Sequence, residues 1–147
     1  MKSLFEPAAA EELKRRMAQL TPETQRQWGK MSAAQMLAHC SIAMEVSVGD
    51  KVMRQILIGK LFGKRAKASM LRGKPIGRNM PTDKSYIVKD DRNLEAEHRR
   101  LAMLIDRFQS GGPDKCTKHP HSFFGTMTPE EWSALNYIHL DLKQFGV

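Results

Sequence analysis

Apolar residues recur every three or four positions along most of this chain, the spacing that lines one face of an α-helix. Leu13, Met17 and Leu20 set the rhythm first and, after Pro7, predict a helix over residues 8–20. Thr21-Pro22 repeats a capping signal but introduces only a short turn before Trp28-Gly29. Ser32 caps a stronger helix, Ala33 to about Val48, with Met36, His39/Cys40, Ala43 and Val46/Ser47 on one side. Asn93 opens the cleanest stretch, Leu94, His98, Leu101, Ile105 and Phe108, which stops at Ser110-Gly111-Gly112-Pro113. Thr128 and Glu131 frame Pro129 as a capping box for a last helix, in which Trp132, Leu135, His139 and Leu142 share a stripe. No segment shows strand-like alternation. The pattern predicts an all-α chain of four main helices with one long crossover, a bundle.

Two segments between the second and third of those helices read differently. Residues 51–72 form a basic amphipathic segment, with Val52, Met53, Ile56, Leu57, Leu61 and Phe62 as an apolar side able to pack on the bundle. Gly59 and Gly63 weaken it as a helix. Residues 73–91 are rich in Gly, Pro, Asn and Asp and predict a long loop over the surface.

Composition narrows the class. At 147 residues the chain is one domain's worth, residues 1–147, and Ala, Leu, Met, Lys, Arg, Glu and Gln favour helix. The apolar runs fall far short of the ~20 residues that span a bilayer, and the first residues lack the apolar core of a signal peptide. Cys40 and Cys116 belong to no Cys-x-x-Cys pair and point to a reduced, cytoplasmic protein with ordinary small thiols.

Charge changes the picture at one place. The net charge is +8, yet residues 51–78 hold nine basic residues and no acid, leaving 15 basic against 16 acidic elsewhere. A solvated basic face is the plain reading, and an anionic substrate or thiolate cofactor drawn to the bundle mouth the sharper one. A membrane surface is disfavoured, because Gly59 and Gly63 weaken the helix and its apolar positions can equally pack on the bundle. Nucleic acid is disfavoured, because interleaved exposed aromatics and a recognisable reading motif are lacking.

The candidate chemistry lies in the histidines. His39 and His139 sit on apolar faces of two different helices, as bundle interiors build metal sites. Two ligands are too few, and Lys143 occupies the position four residues after His139. His98, His119 and His121 are the further candidates, and hydrogen-bonded core histidines are the competing reading. Glu45 and Asp141 could orient the imidazoles. A nucleophile elbow and a phosphate-cradling glycine loop are both absent from the sequence.

The run Trp28-Gly29-Lys30-Met31-Ser32-Ala33-Ala34-Gln35-Met36-Leu37-Ala38-His39-Cys40 resembles the first histidine motif of the DinB-like superfamily. Asn79-Met80-Pro81-Thr82 and the helix from Glu95 to Phe108 look like the middle section of one branch, a domain of unknown function. His119 to Gly125, Glu130-Glu131-Trp132, His139-Leu140-Asp141 and Gln144-Phe145-Gly146 look like its C-terminal signature. The resemblance implies a DinB-like four-helix bundle, often a homodimer. It also implies three histidines around a divalent metal (zinc, nickel or iron) and, in some members, thiol-dependent transferase or isomerase activity. His39 matches the first ligand and His139 the second, while the last helix offers no further histidine. The expectation is a small-molecule-binding protein or metal-dependent transferase-type enzyme with a degenerate site. The alternative is a non-catalytic bundle whose basic stretch 51–78 contacts an anionic partner.

Overall fold

A computed structural model describes residues 2–27, 29–75, 83–141 and 146 of the chain. Among them the regular structure is helical: α1 (Pro7–Met17), α2 (Ala33–Ser47), α3 (Leu57–Leu71), α4 (Leu94–Gly111) and α5 (Pro129–His139), with short 3₁₀ turns at Lys84–Tyr86 and Pro113–Lys115. No strand occurs among the described residues, so the all-α reading stands.

The caps start the helices where the sequence puts them, although of the Thr128/Glu131 box only the Thr128 half is seen, the Glu131 side chain pairing with Lys67. Ser32 and Gln35 form a reciprocal capping box at the start of α2. The Asn93 side chain accepts from the Ala96 amide at 2.8 Å, and Thr128 accepts from the Glu131 amide at 3.2 Å ahead of Pro129. Each such cap is worth about 1 kcal/mol. The helix expected over 8–20 stops at Met17, yet Leu20 is still buried just beyond it.

α2 is the central helix. It buries Leu37, Ala38, Cys40, Ser41, Ile42, Met44 and Val46, which lie almost all round its axis and leave little polar face. Its broadest partner is α4, through Leu101, Leu104, Ile105 and Phe108. α1 covers α4 from the other side, with Leu13 and Met17 buried and Phe5 stacked on Phe108 at 4.9 Å. α5 packs on α2, and Asn136 Nδ2 donates to the Ser47 hydroxyl at 3.0 Å inside the core. Arg100 joins α4 to α2 by an ion pair with Glu45 at 2.6 Å. None of these helices is long and apolar enough to cross a membrane.

One reading left open is decided and one expectation is corrected. α3 does not turn its large apolar side chains to the interior: Gly59, Gly63 and Met70 are its buried residues, and Leu57, Ile58, Leu61 and Phe62 are exposed. The reason is a close approach of backbones. A Cβ on Gly59 would stand 2.5 Å from the Phe123 carbonyl oxygen, and one on Gly63 would overlap it outright. Only the glycine edge of the helix fits against the loop there. The stretch 73–91 is likewise not all surface loop. Asp83 caps the turn Lys84–Tyr86 by accepting from the Ser85 amide at 2.8 Å, and Tyr86 and Val88 enter the core. Residues 76–82, which include the Asn79-Met80-Pro81-Thr82 segment, lie outside the described residues.

Candidate functional site

α2 and α5 bring His39 and His139 together. Their Nε2 atoms stand 2.9 Å apart, although the residues are 100 positions apart in sequence. His39 Nδ1 lies 2.7 Å from the Tyr86 backbone carbonyl. That carbonyl can only accept, so His39 carries its proton on Nδ1. Burial lowers the His39 pKa against the opposing pull of the Tyr86 carbonyl, so the ring is neutral at pH 7 and its Nε2 is a bare acceptor. His139 must then donate from Nε2. The chain of hydrogen bonds runs from His139 through His39 to the Tyr86 carbonyl, and each ring is fixed by its neighbour.

His139 ends α5, and burial pushes its pKa down to about 3, with His39 and His121 adding to the fall. Two imidazoles this close cannot readily both be charged. As whole residues His39 and His139 are only partly buried.

His121 is the third member, and no helical periodicity announced it. It sits in a tight turn closed by two backbone hydrogen bonds with Gly125, at 2.8 and 3.1 Å. Gly125 adopts a φ of +77°, which favours glycine. Within that turn the His121 Nδ1 accepts from the amides of Phe123 and Phe124, at 3.0 and 3.1 Å. The proton is therefore on Nε2, and burial holds the pKa down at about 4. The ring lies against Phe124 and Trp132, with Tyr86 at 6.5 Å. The Tyr86 phenol is buried and its pKa is raised by that burial, with Ser122 beside it acting the other way.

The remaining candidates go elsewhere. His119 is exposed. His98 lies on α4 with Nε2 buried and unpartnered, its pKa lowered by burial. Neither is bonded to the His39–His139 pair among the described residues. Glu45 and Asp141, expected as orienting groups, pair with Arg100 and Arg16 at 2.6 and 2.5 Å; the group that orients His39 is the Tyr86 carbonyl. No cluster of three or more His, Cys, Asp or Glu suited to a metal occurs among the described residues. Lys143 and the Gln144-Phe145 part of the terminal signature fall outside them.

The whole site lies within residues 4–144, and that span matches one family model, described as protein of unknown function (DUF1569). The chain belongs to the DUF1569 family. The resemblance to the DinB-like superfamily is corrected by this match. Nothing links the chain to that superfamily or to its C-terminal signature, so the ligand set and thiol chemistry implied by it do not carry over to this DUF1569 member. The motif rests on small residues and a histidine at helical spacing, which inner helix faces in unrelated all-α folds can share. No curated protein and no solved structure matches the chain.

Proposed function

We propose that this protein binds a small molecule beside His39, His139, His121 and Tyr86, with a divalent metal held by His39 and His139. The observation that carries the reading is the convergence of the two Nε2 atoms at 2.9 Å with His39 Nδ1 already anchored on a carbonyl. A carbonyl on the far nitrogen is the usual support of a metal-bound imidazole. The two Nε2 atoms, now hydrogen-bonded at 2.9 Å, would have to part slightly and turn for both lone pairs to reach one ion. His139 would also have to move its proton from Nε2 to Nδ1, and both rings are neutral because burial lowers their pKa values. Zinc, nickel or iron would suit this donor set.

With only two protein ligands the ion would keep open positions, and when bound it would supply Lewis acidity toward an oxygen or sulfur of the ligand. His121 does not join as a ligand, because its Nδ1 is taken by two amides. Its Nε2–H is a donor, suited to a polar atom of the bound molecule. On this reading residues 1–147 are one domain, in which α1, α2, α4 and α5 form a four-helix bundle and the segment holding α3 is the crossover.

The test is metal content per chain on untagged protein purified without chelator, beside His39→Ala and His139→Ala. Near-stoichiometric metal, lost in each variant while the helical signal stays, is the expected result. Absence of metal after incubation with zinc, nickel and ferrous iron, with both variants simply less heat-stable, would make the pair a structural hydrogen bond and end the proposal.

A further inference from the structure

α3 is an amphipathic helix mounted with its apolar side outward. Gly59, Gly63 and Met70 fix it to the protein, and Lys67 ties it down by an ion pair with Glu131 at 2.8 Å and a hydrogen bond to the Thr126 carbonyl at 2.9 Å. On the free side Leu57 is 75% exposed, Leu61 68% and Phe62 54%, with Ile58 beside them. At 100° per residue these four cover an arc of about 140°. Lys60, Lys64 and Arg65 are exposed on and beside this apolar surface, and Arg54 precedes it. None of those four cations forms an ion pair among the described residues, and the stretch 51–78 contains no carboxylate.

We propose that this face is a membrane-surface element that lays α3 in the plane of a bilayer rich in anionic lipid. Leu57, Leu61 and Phe62 enter the acyl boundary, and Lys60, Lys64 and Arg65 meet the headgroup phosphates. Large exposed apolar side chains and unneutralised cations on one short helix are the two features that such binding needs together. The face does not suit a second copy of the chain. A two-fold contact through α3 would set Lys60, Lys64 and Arg65 against their own counterparts with no acid between them. It suits nucleic acid less than lipid, since phosphates would satisfy the cations and leave Leu57 and Leu61 in water.

The experiment is sedimentation of the full chain with phosphatidylcholine vesicles that contain one-third phosphatidylserine, at low salt. The chain is expected to pellet with these vesicles and to stay in solution with pure phosphatidylcholine. The variant Lys60→Gln/Lys64→Gln/Arg65→Gln should bind roughly a hundredfold more weakly. The variant Leu57→Ser/Leu61→Ser/Phe62→Ser, with charge unchanged, should lose at least about tenfold. All six positions are solvent-exposed, and circular dichroism checks that both variants remain folded. No binding to the anionic vesicles overturns the proposal. So does binding that the serine variant keeps in full, or tighter binding to duplex DNA, which would mark a soluble polyanion as the partner. A concentration-dependent dimer that the serine changes disperse, without vesicle binding, would assign the face to a second copy instead.

Discussion

Gly63→Ala asks whether α3 is really docked by its glycines. In an exposed helix interior this change stabilises by about 1 kcal/mol, because alanine restricts the unfolded chain and glycine does not. At this position the new methyl would overlap the Phe123 carbonyl oxygen and stand 3.2 Å from its carbon and 3.3 Å from Phe124 Cα. All three are backbone atoms, so no flexible side chain can swing away. Either α3 lifts or the turn 121–125 shifts. Overpacking of this kind costs about 1–3 kcal/mol and can exceed it. The interface at risk includes the Ile56 amide bond to the Ser122 carbonyl at 2.8 Å, the Gln55 bond to the Phe123 carbonyl at 3.1 Å and the burial of Met70. An outright backbone overlap belongs at the upper end of that range, so after subtracting the propensity gain a net loss of about 2 kcal/mol remains, which lowers the Tm by roughly 4–8 °C for a chain of this size. Thermal unfolding followed by circular dichroism measures the total, and amide hydrogen exchange locates it. Exchange should quicken in α3 and in residues 121–125 while α2 and α4 hold their protection. A Gly63→Ala protein as stable as the parent, or more so, would mean that the glycine edge is not against the turn and would refute the account of why α3 faces outward.

Two further predictions concern titration. His121 and His139 fall to about 4 and about 3 in the folded chain, below the ordinary histidine value of 6.5, so the unfolded chain takes up more protons in between. Their contribution to stability is complete above about pH 6.5 and is lost as the pH falls toward 4, at up to about 1.4 kcal/mol per pH unit for each ring that differs fully. Urea midpoints at about pH 5 and about pH 7.5 should differ in that direction, and His121→Asn, which keeps an acceptor for the two amides, should flatten the slope; equal midpoints in the parent would contradict the buried neutral rings. The thiols should be silent in the folded protein, because burial pushes Cys40 up to about 12 and Cys116 up to about 11. A disulfide reagent at mildly alkaline pH should therefore find both only after denaturation, and fast native-state labelling of either would sink that reading.

Much of the framework was legible in the residues themselves. Ser32, Asn93 and Thr128-Pro129 start their helices because capping is a local hydrogen bond between a side chain and its own next turn. The spacing around Leu101, Ile105 and Phe108 put those residues inside, since one face of α4 repeats with the helix. The same logic placed His39 and His139 on inner faces of two helices, and the fold brings them into contact.

What the sequence could not decide depends on groups far apart in the chain. Hydrophobicity alone would turn Leu57, Leu61 and Phe62 inward, but a backbone approach that admits only Gly59 and Gly63 sets the orientation of α3. Tyr86 and Val88 fill the core from a stretch whose composition reads as loop, because burial answers to the space left between helices and not to local propensity. His121 reaches the site through a turn with no periodicity to betray it, and its protonated nitrogen is chosen by two backbone amides next to it. The carbonyl that orients His39 comes from Tyr86, 47 residues away, where the expected partners were Glu45 and Asp141. Local hydrogen bonds and periodicity write helices into a sequence; the meeting of side chains with distant backbone is settled only when the helices pack.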